Sequence, residues 1–316
     1  MQIVAIDPPE QGFYAKRLDV PGVAIKAHAC VRDEALLQAG RLAVGLLARA
    51  PAIVANLAAV GAELHVLGER QRVTDLPMYR HMAGVAFDGG RTMDERARGY
   101  GGLHACCAEE ALLRLPTARH RDHRDVTSHE LAHTVLSYGL DERVRGLVES
   151  RYAEARPRWR RAYAATNAQE FFAELTMWYV GSRGDYTSLP SPAPGPRWLA
   201  RFDPESYDLL DAIYGGRIAP ALIEWTRLEP STATRSEPGG APVSLLLVNR
   251  TDRVVERFWL GFRGERKGYG PVQPGTAVGQ STYAGHPWLL VDDDGNELGT
   301  YVSHGAVHGL VVLERT

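Results

Sequence analysis

The sequence predicts an α+β chain in two parts: a helix-rich first domain with a small sheet, then an all-β second domain. Three observations carry this reading. Before residue 229, several runs have helical length and helical spacing of apolar residues. Residues 229–241 (EPSTATRSEPGGA) are rich in Pro, Ser, Thr and Gly, which disfavours both helix and strand. Beyond them the pattern changes to short β-branched and aromatic runs separated by turn residues. The expected division is therefore 1–228 for the first domain, 229–241 as a linker, and 242–316 for the second.

The elements follow in order. Asp33 to Ala58 reads as helix, interrupted at Pro51. Glu63 to Gly68 reads as a strand. Gly89 to Gly102 is loop-rich and contains Arg98-Gly99-Tyr100-Gly101-Gly102. Glu109 to Leu115 is a short helical patch. A helix starts near Thr127, where Thr or Ser can cap it, and stops near Gly139. Val144 to Ala155 is expected to stop ahead of Pro157, and a third helix begins near Asn167. Residues 190–196 read as a proline-rich turn, and Pro204 to Tyr214 as helix. Strands are expected at Ser244–Val248, Val254–Phe262, Trp288–Val291, Gly299–Ser303 and Gly309–Glu314, with a hairpin turn at Asp294-Gly295.

Bulk composition narrows the partners. The chain has 36 basic and 38 acidic residues, so nothing global favours nucleic acid or an anionic membrane. No apolar run reaches transmembrane length, and the first ten residues lack the pattern of a secretory signal. Three cysteines (Cys30, Cys106, Cys107) are too few for a disulfide scaffold. Buried free thiols are expected, with a single bridge from Cys30 to one of the vicinal pair as the alternative.

The segment with the most chemistry is His129-Glu130-Leu131-Ala132-His133. Residues four apart share a helix face, so His129 and His133 can hold one ion, with Glu130 close enough to reach water on it. A catalytic zinc site takes three protein ligands and keeps one open position. The third ligand must come from further along the chain. Glu170 and Glu174 share one face of the helix that begins near Asn167, and either can serve. His104, His120 and His123 lie in a polar region and are expected to be solvated.

Tyr163 to Glu174 (YAATNAQEFFAE), following the His129–His133 motif, resembles the catalytic domain of anthrax lethal factor and its relatives, a zincin metallopeptidase family. The resemblance covers both motifs in order and does not extend before about residue 85. It implies one catalytic Zn2+ held by His129, His133 and Glu170. It further implies that Glu130 is the general base, that Tyr163 helps stabilise the transition state, and that Glu174 orients a ligand histidine.

The segment from Val248 to Asp293 resembles the β-domain of the von Hippel-Lindau tumour suppressor. The match runs through Phe258-Trp259, Tyr269, Pro274-Gly275-Thr276 and Thr282-Tyr283-Ala284-Gly285-His286-Pro287-Trp288. That family is a β-sandwich that binds 4-hydroxyproline in a peptide. The resemblance implies a pocket of Trp259, Tyr269, Thr282, Tyr283, His286 and Trp288, with Thr282 where the family has serine. Together the halves suggest a monomeric zinc endopeptidase aimed at hydroxyproline-containing protein, such as collagens or plant cell-wall glycoproteins. The alternative is a hydroxyproline-peptide binding protein on a catalytically weak zincin scaffold. The compartment stays open: the substrate class suggests outside the cell, and the missing signal suggests inside.

Overall fold

A computed structural model describes residues 1–87, 89–120, 124–182, 195–305 and 307–314. His123 and residues 190–194 of the turn expected over 190–196 lie outside the described residues, and Pro196 opens a helix. The chain is a mixture of helix and sheet with a C-terminal all-β region. It divides into two compact units: Met1–Val73 with Gly84–Leu222, and Thr74–Ala83 with Ile223–Thr316.

The first unit is built on a five-stranded sheet in the order Ile3–Glu10, Tyr14–Val20, Val23–His28, Glu63–Leu67, His104–Ala108. The first three strands are antiparallel and the last two pairings are parallel. Pro21-Gly22 makes the tight turn between Val20 and Val23, with Gly22 at φ 84°. A proline followed by a glycine suits such a turn, because one fixes φ and the other accepts positive φ. Parallel pairing of Val23–His28 with Glu63–Leu67 needs a long crossover. The helices Asp33–Leu47 and Pro51–Val60 supply it, split where Pro51 was expected to split them. Leu18, Ile25, Leu36, Ile53, Leu57 and Leu64 are fully buried in this layer.

The helical part comprises Val126–Thr134, Glu142–Trp159, Ala168–Tyr179, Pro196–Phe202 and Pro204–Tyr214. Asp141, Asn167 and Asp203 each cap a helix by accepting a bond from the third backbone N–H. One expected boundary is corrected here. The helix expected to end before Pro157 continues through it to Trp159. Proline lacks a backbone donor, so this last turn gives up one bond to the carbonyl four residues back. Burial of Trp159, whose Nε1 donates to Asp203 Oδ2 at 2.7 Å, offsets it.

The second unit is a sandwich of two four-stranded sheets. One runs Arg266–Val272, Val255–Leu260, Trp288–Asp292, Glu297–Tyr301, all antiparallel. The other runs Thr276–Tyr283, Pro242–Asn249, His308–Leu313, Thr226–Arg227. Val243, Leu245, Leu247 and Val311 of one sheet pack on Val255, Trp288, Leu290 and Tyr301 of the other. The Asp294-Gly295 turn forms, with Gly295 at φ 86° and its N–H donating to Asp292 O.

The linker expected over 229–241 is not a free tether. Ser231 bridges to Thr300, Ser236 donates to Leu260 O through its hydroxyl and to Gly261 O through its backbone, and Glu237 N donates to Gly285 O. The composition correctly signals irregular backbone, but that backbone is laid along the sandwich. Thr74–Ala83 joins the same unit, where Gly275 lies so close to Met78 that a Cβ would sit 2.4 Å from the methionine Cβ.

Candidate metal centre and peptide-binding face

Two helices bring the sequence-predicted residues of the first unit together. The helix Val126–Thr134 starts one residue earlier than expected. Its cap is Asp125, not Thr127 or Ser128, and the Asp125 side chain accepts from Ser128 N at 2.9 Å. Just past His133 the backbone widens into a π-turn over Val135–Gly139. The helix Ala168–Tyr179 is capped by Asn167, whose side chain accepts from Glu170 N at 2.8 Å. That cap fixes the first turn from which Glu170 projects.

The geometry is specific. His129 Nε2 and His133 Nε2 are 3.2 Å apart. Glu170 Oε2 lies 3.2 Å from the first and 3.5 Å from the second. Ligands of a tetrahedral zinc, at about 2.0–2.1 Å from the ion, are about 3.3 Å from one another. The three atoms thus have the spacing of one face of a tetrahedron around a common centre. Glu174 Oε1 stands 3.1 Å from His129 Nδ1, on the other side of the same ring. The i, i+4 pair Glu170 and Glu174 therefore reads His129 from both nitrogens, and only Glu170 joins the triangle.

The electrostatics follow from crowding. Burial opposes the charged form of His129, but hydrogen bonds to Glu170 and Glu174 outweigh it and raise the ring to about 10. Burial likewise opposes the Glu170 carboxylate, and its bonds to His129 and His133 hold it below the usual range. Glu130 is pushed up, chiefly by burial, with the histidines pulling against it. Tyr163 sits on a single turn just before the glutamate helix and is 41% exposed. Burial of its hydroxyl, then the charge and hydrogen bond of Glu170, push it up to about 12. All five residues expected at the centre, and Glu174 beside it, are thus in one place.

Sequence reading missed Arg96. It ends a four-residue turn, Met93–Arg96, held by a capping box between Thr92 and Glu95. Its charge acts on Glu130, Tyr163 and Tyr100, and it hydrogen-bonds the Tyr100 hydroxyl. No spacing rule ties a lone arginine in a loop to a motif thirty residues away.

A second polar cluster lies on the sheet. Tyr14 OH is 3.0 Å from His65 Nδ1, His65 Nε2 is 2.8 Å from Glu63 Oε2, and Lys26 Nζ donates to Glu63 Oε1 at 2.8 Å and to Glu10 Oε1 at 2.7 Å. His104, expected to be solvated, is buried against it, with its ring 5.5 Å from that of His65. His120 is half-buried. Glu63, His65 and His104 present ligand atoms to one another, as do His129, Glu130 and His133. The distances separate the two clusters. At 2.8 Å the His65–Glu63 contact is an ordinary hydrogen bond, too short for two ligands of one ion. Lys26 already supplies the positive charge. Burial opposes ionisation of Glu63, but His104, His65 and Lys26 outweigh it and hold the carboxyl well below its ordinary value. All three cysteines are free thiols; Cys106 and Cys107 are buried, and Cys30, expected to be buried, is exposed.

The six residues predicted for the peptide pocket form two adjoining groups. Trp288 is buried in the sandwich core, its Nε1 donates to Thr282 Oγ1 at 3.0 Å, and the Tyr269 ring packs edge-on at 4.9 Å. His286 is ringed by Trp259 at 5.6 Å and Tyr283 at 5.4 Å, and also by Phe262 at 5.6 Å. The groups meet where Trp259 pairs with Trp288 across neighbouring strands. Tyr269, Tyr283 and Phe262 are exposed, while Thr282 and His286 are buried beneath them. Because Thr282 accepts from Trp288, its own hydrogen remains to be donated. The sequence model of the VHL beta domain family matches residues 234–304, a span that takes in all six of these residues and starts inside the stretch whose composition read as a linker.

Proposed function

We propose that this chain is a zinc-dependent endopeptidase of the zincin kind, directed by its VHL-like module to proteins that contain hydroxyproline. The triangle of His129 Nε2, His133 Nε2 and Glu170 Oε2, with edges of 3.2–3.5 Å, is the observation that carries the catalytic half. Those three residues would hold the ion, and zinc in such a site supplies a water acidic enough to ionise near neutral pH.

The chain's own residues account for the rest. Glu174 holds the proton on His129 Nδ1 and so turns Nε2 toward the centre. Glu130, one residue along the same helix and buried, takes a proton from the attacking water and returns it to the leaving amine. Its raised pKa keeps it a better base than an exposed glutamate. Tyr163, held neutral well above working pH, donates its hydroxyl to the oxyanion that develops on the scissile carbonyl. Arg96 adds positive charge on the same side.

The targeting half rests on the family match and on the Thr282–Trp288 pair. Aromatic walls suit a pyrrolidine ring, and the Thr282 hydroxyl with the His286 imidazole suits a ring hydroxyl. A plain proline would leave those buried groups unpaired, at a cost of about 1–3 kcal/mol. A module that grips such sites raises the local concentration of substrate at the same chain's catalytic unit. The test is cleavage of matched hydroxyproline and proline polypeptides by the full chain, with zinc and with chelator. Chelator-sensitive cleavage that favours the hydroxyproline form is expected. Tight hydroxyproline binding without cleavage would replace the peptidase by a binding protein, and equal cleavage of both would remove the targeting role.

A further inference from the structure

The glycine-rich run Arg98–Gly102 has no part in the ligand set, yet it lies against it. A Cβ on Gly101 would sit 2.5 Å from the Cβ of His133 and 2.8 Å from Cγ and Cδ2 of its ring. A Cβ on Gly99 would sit 3.0 Å from Glu130 Oε1 and 2.7 Å from Val126 Cγ1. The run cannot drift away from the helix. Tyr100 exchanges both main-chain hydrogen bonds with Cys106, at 3.2 and 2.8 Å, which fastens it to the edge of the sheet. Gly102 O accepts from Thr134 Oγ1 at 2.6 Å, which fastens it to the residue after His133.

We infer that Gly101 is a positioning residue for the metal site: its bare main chain forms the wall that sets the His133 imidazole in the triangle. The inference rests on reading His129, His133 and Glu170 as a zinc site. Gly101, unlike Gly102 at φ +146°, is not in the region of backbone conformation that disfavours a side chain. The three atoms nearest to a side chain there all belong to His133. To reach ordinary van der Waals contact the 2.5 Å gap must open by roughly 1 Å. The nearest atom is the His133 Cβ, which moves only with its main chain, so the last turn of the helix must shift against the Thr134 bond, and it carries Nε2 out of a triangle whose edges are 3.2 and 3.5 Å. A Cβ on Gly99 would press on Val126 Cγ1 and on the carboxylate of Glu130, which lies outside the triangle.

The two glycines thus predict different losses from the same substitution. In the full chain, Gly101→Ala is expected to weaken zinc binding by about 10–100-fold, the range typical when support behind a ligand is lost. It should also alter the visible d–d bands of the cobalt(II)-substituted protein. Gly99→Ala is expected to keep zinc affinity and the cobalt spectrum and to lose hydrolysis. Zinc affinity is read by competition with a chelator, and thermal unfolding of the metal-free proteins is read alongside. Wild-type affinity and an unchanged cobalt spectrum in Gly101→Ala overturn the inference. Parallel loss of zinc and of unfolding temperature in both variants assigns the glycines to the fold and overturns it as well. Failure of the wild-type chain to bind zinc overturns the zinc reading itself, and the positioning role with it.

Discussion

Glu174 offers the sharpest test of the proposed zinc site, because it touches the proposed ligand His129 and not the centre. Its Oε1 is 3.1 Å from His129 Nδ1, and both side chains are largely enclosed. Glu174→Gln keeps the volume and an acceptor oxygen but removes the charge. A carboxylate behind a ligating imidazole fixes its orientation and raises its basicity, and losing it costs about 10–100-fold in metal affinity, or about 1.4–2.7 kcal/mol. Glu174→Ala goes further, because it also removes an acceptor from a buried ring nitrogen, for about 1–3 kcal/mol more. Zinc affinity should therefore fall in the order wild type, Gln, Ala. Competition against a chelator of known zinc affinity at pH 7.5 measures each step. Affinities for both variants equal to wild type would refute the orienting role. A complete loss of zinc in Glu174→Gln, with Glu170→Gln unaffected, would make Glu174 the third ligand instead.

The remaining predictions concern the other groups of the two sites. Glu130→Gln should bind stoichiometric zinc and lose at least about 10²-fold in turnover, the contribution of a general base; full activity in a peptide-cleavage assay would exclude that role. Tyr163→Phe should lower kcat by about 10²–10³ with KM nearly unchanged, and a change confined to KM would make Tyr163 a binding residue. His129 lies above its ordinary value, so its contribution to the metal-free fold is fully present below about pH 6.5 and is lost as pH rises through about 10. Glu170, held low, contributes stability that is present above about pH 4.5 and is lost as pH falls. Denaturant melts of chelated protein should therefore weaken on both sides of neutrality, and zinc uptake at pH 7.5 should release a proton, read by calorimetry in buffers of different ionisation enthalpy; flat stability with no proton release would contradict both shifts. Thr282→Val should erase the preference for hydroxyproline over proline in peptide binding by the full chain, worth about 1–3 kcal/mol, and a retained preference would place the recognition elsewhere.

Much of the fold is written in local signals, and the parts that are not have identifiable reasons. Pro51 and Asn167 mark helix starts as expected because capping and proline effects act within one turn. The first strands of the sheet give no such signal. Ile3–Glu10 contains Pro8 and Pro9, which argue against a strand unless it lies at an edge, and this one does. His104–Ala108 (HACCA) is a parallel strand buried on every residue, so it shows no alternation to detect. Arg266–Val272 contains two glycines and a proline and reads as loop, yet it completes the sheet that carries Trp259. Pairing partners far along the chain decide these cases.

The two polar clusters show why residue type alone could not finish the site. Each offers two histidines and at least one carboxylate, Glu63 in the sheet cluster and Glu130 and Glu170 in the helix cluster, and each is largely buried. In the sequence, His129 and His133 at i, i+4 carry a spacing argument, while Glu63, His65 and His104 carry none. Spacing on one helix can place two ligands, but it cannot choose between Glu170 and Glu174, which share a face. The choice is made by the helix cap at Asn167 and by the close crossing that sets one carboxylate against Nε2 and the other against Nδ1. Two imidazole nitrogens face each other at 3.2 Å beside one carboxylate oxygen, and against burial the bonds to Glu170 and Glu174 raise the pKa of His129. In the sheet cluster the positive charge is built in as Lys26, and Glu63 is hydrogen-bonded to both Lys26 and His65. The sheet cluster thus carries its own cation, whereas the helix cluster sets two imidazoles and a carboxylate at the spacing the proposed zinc site requires.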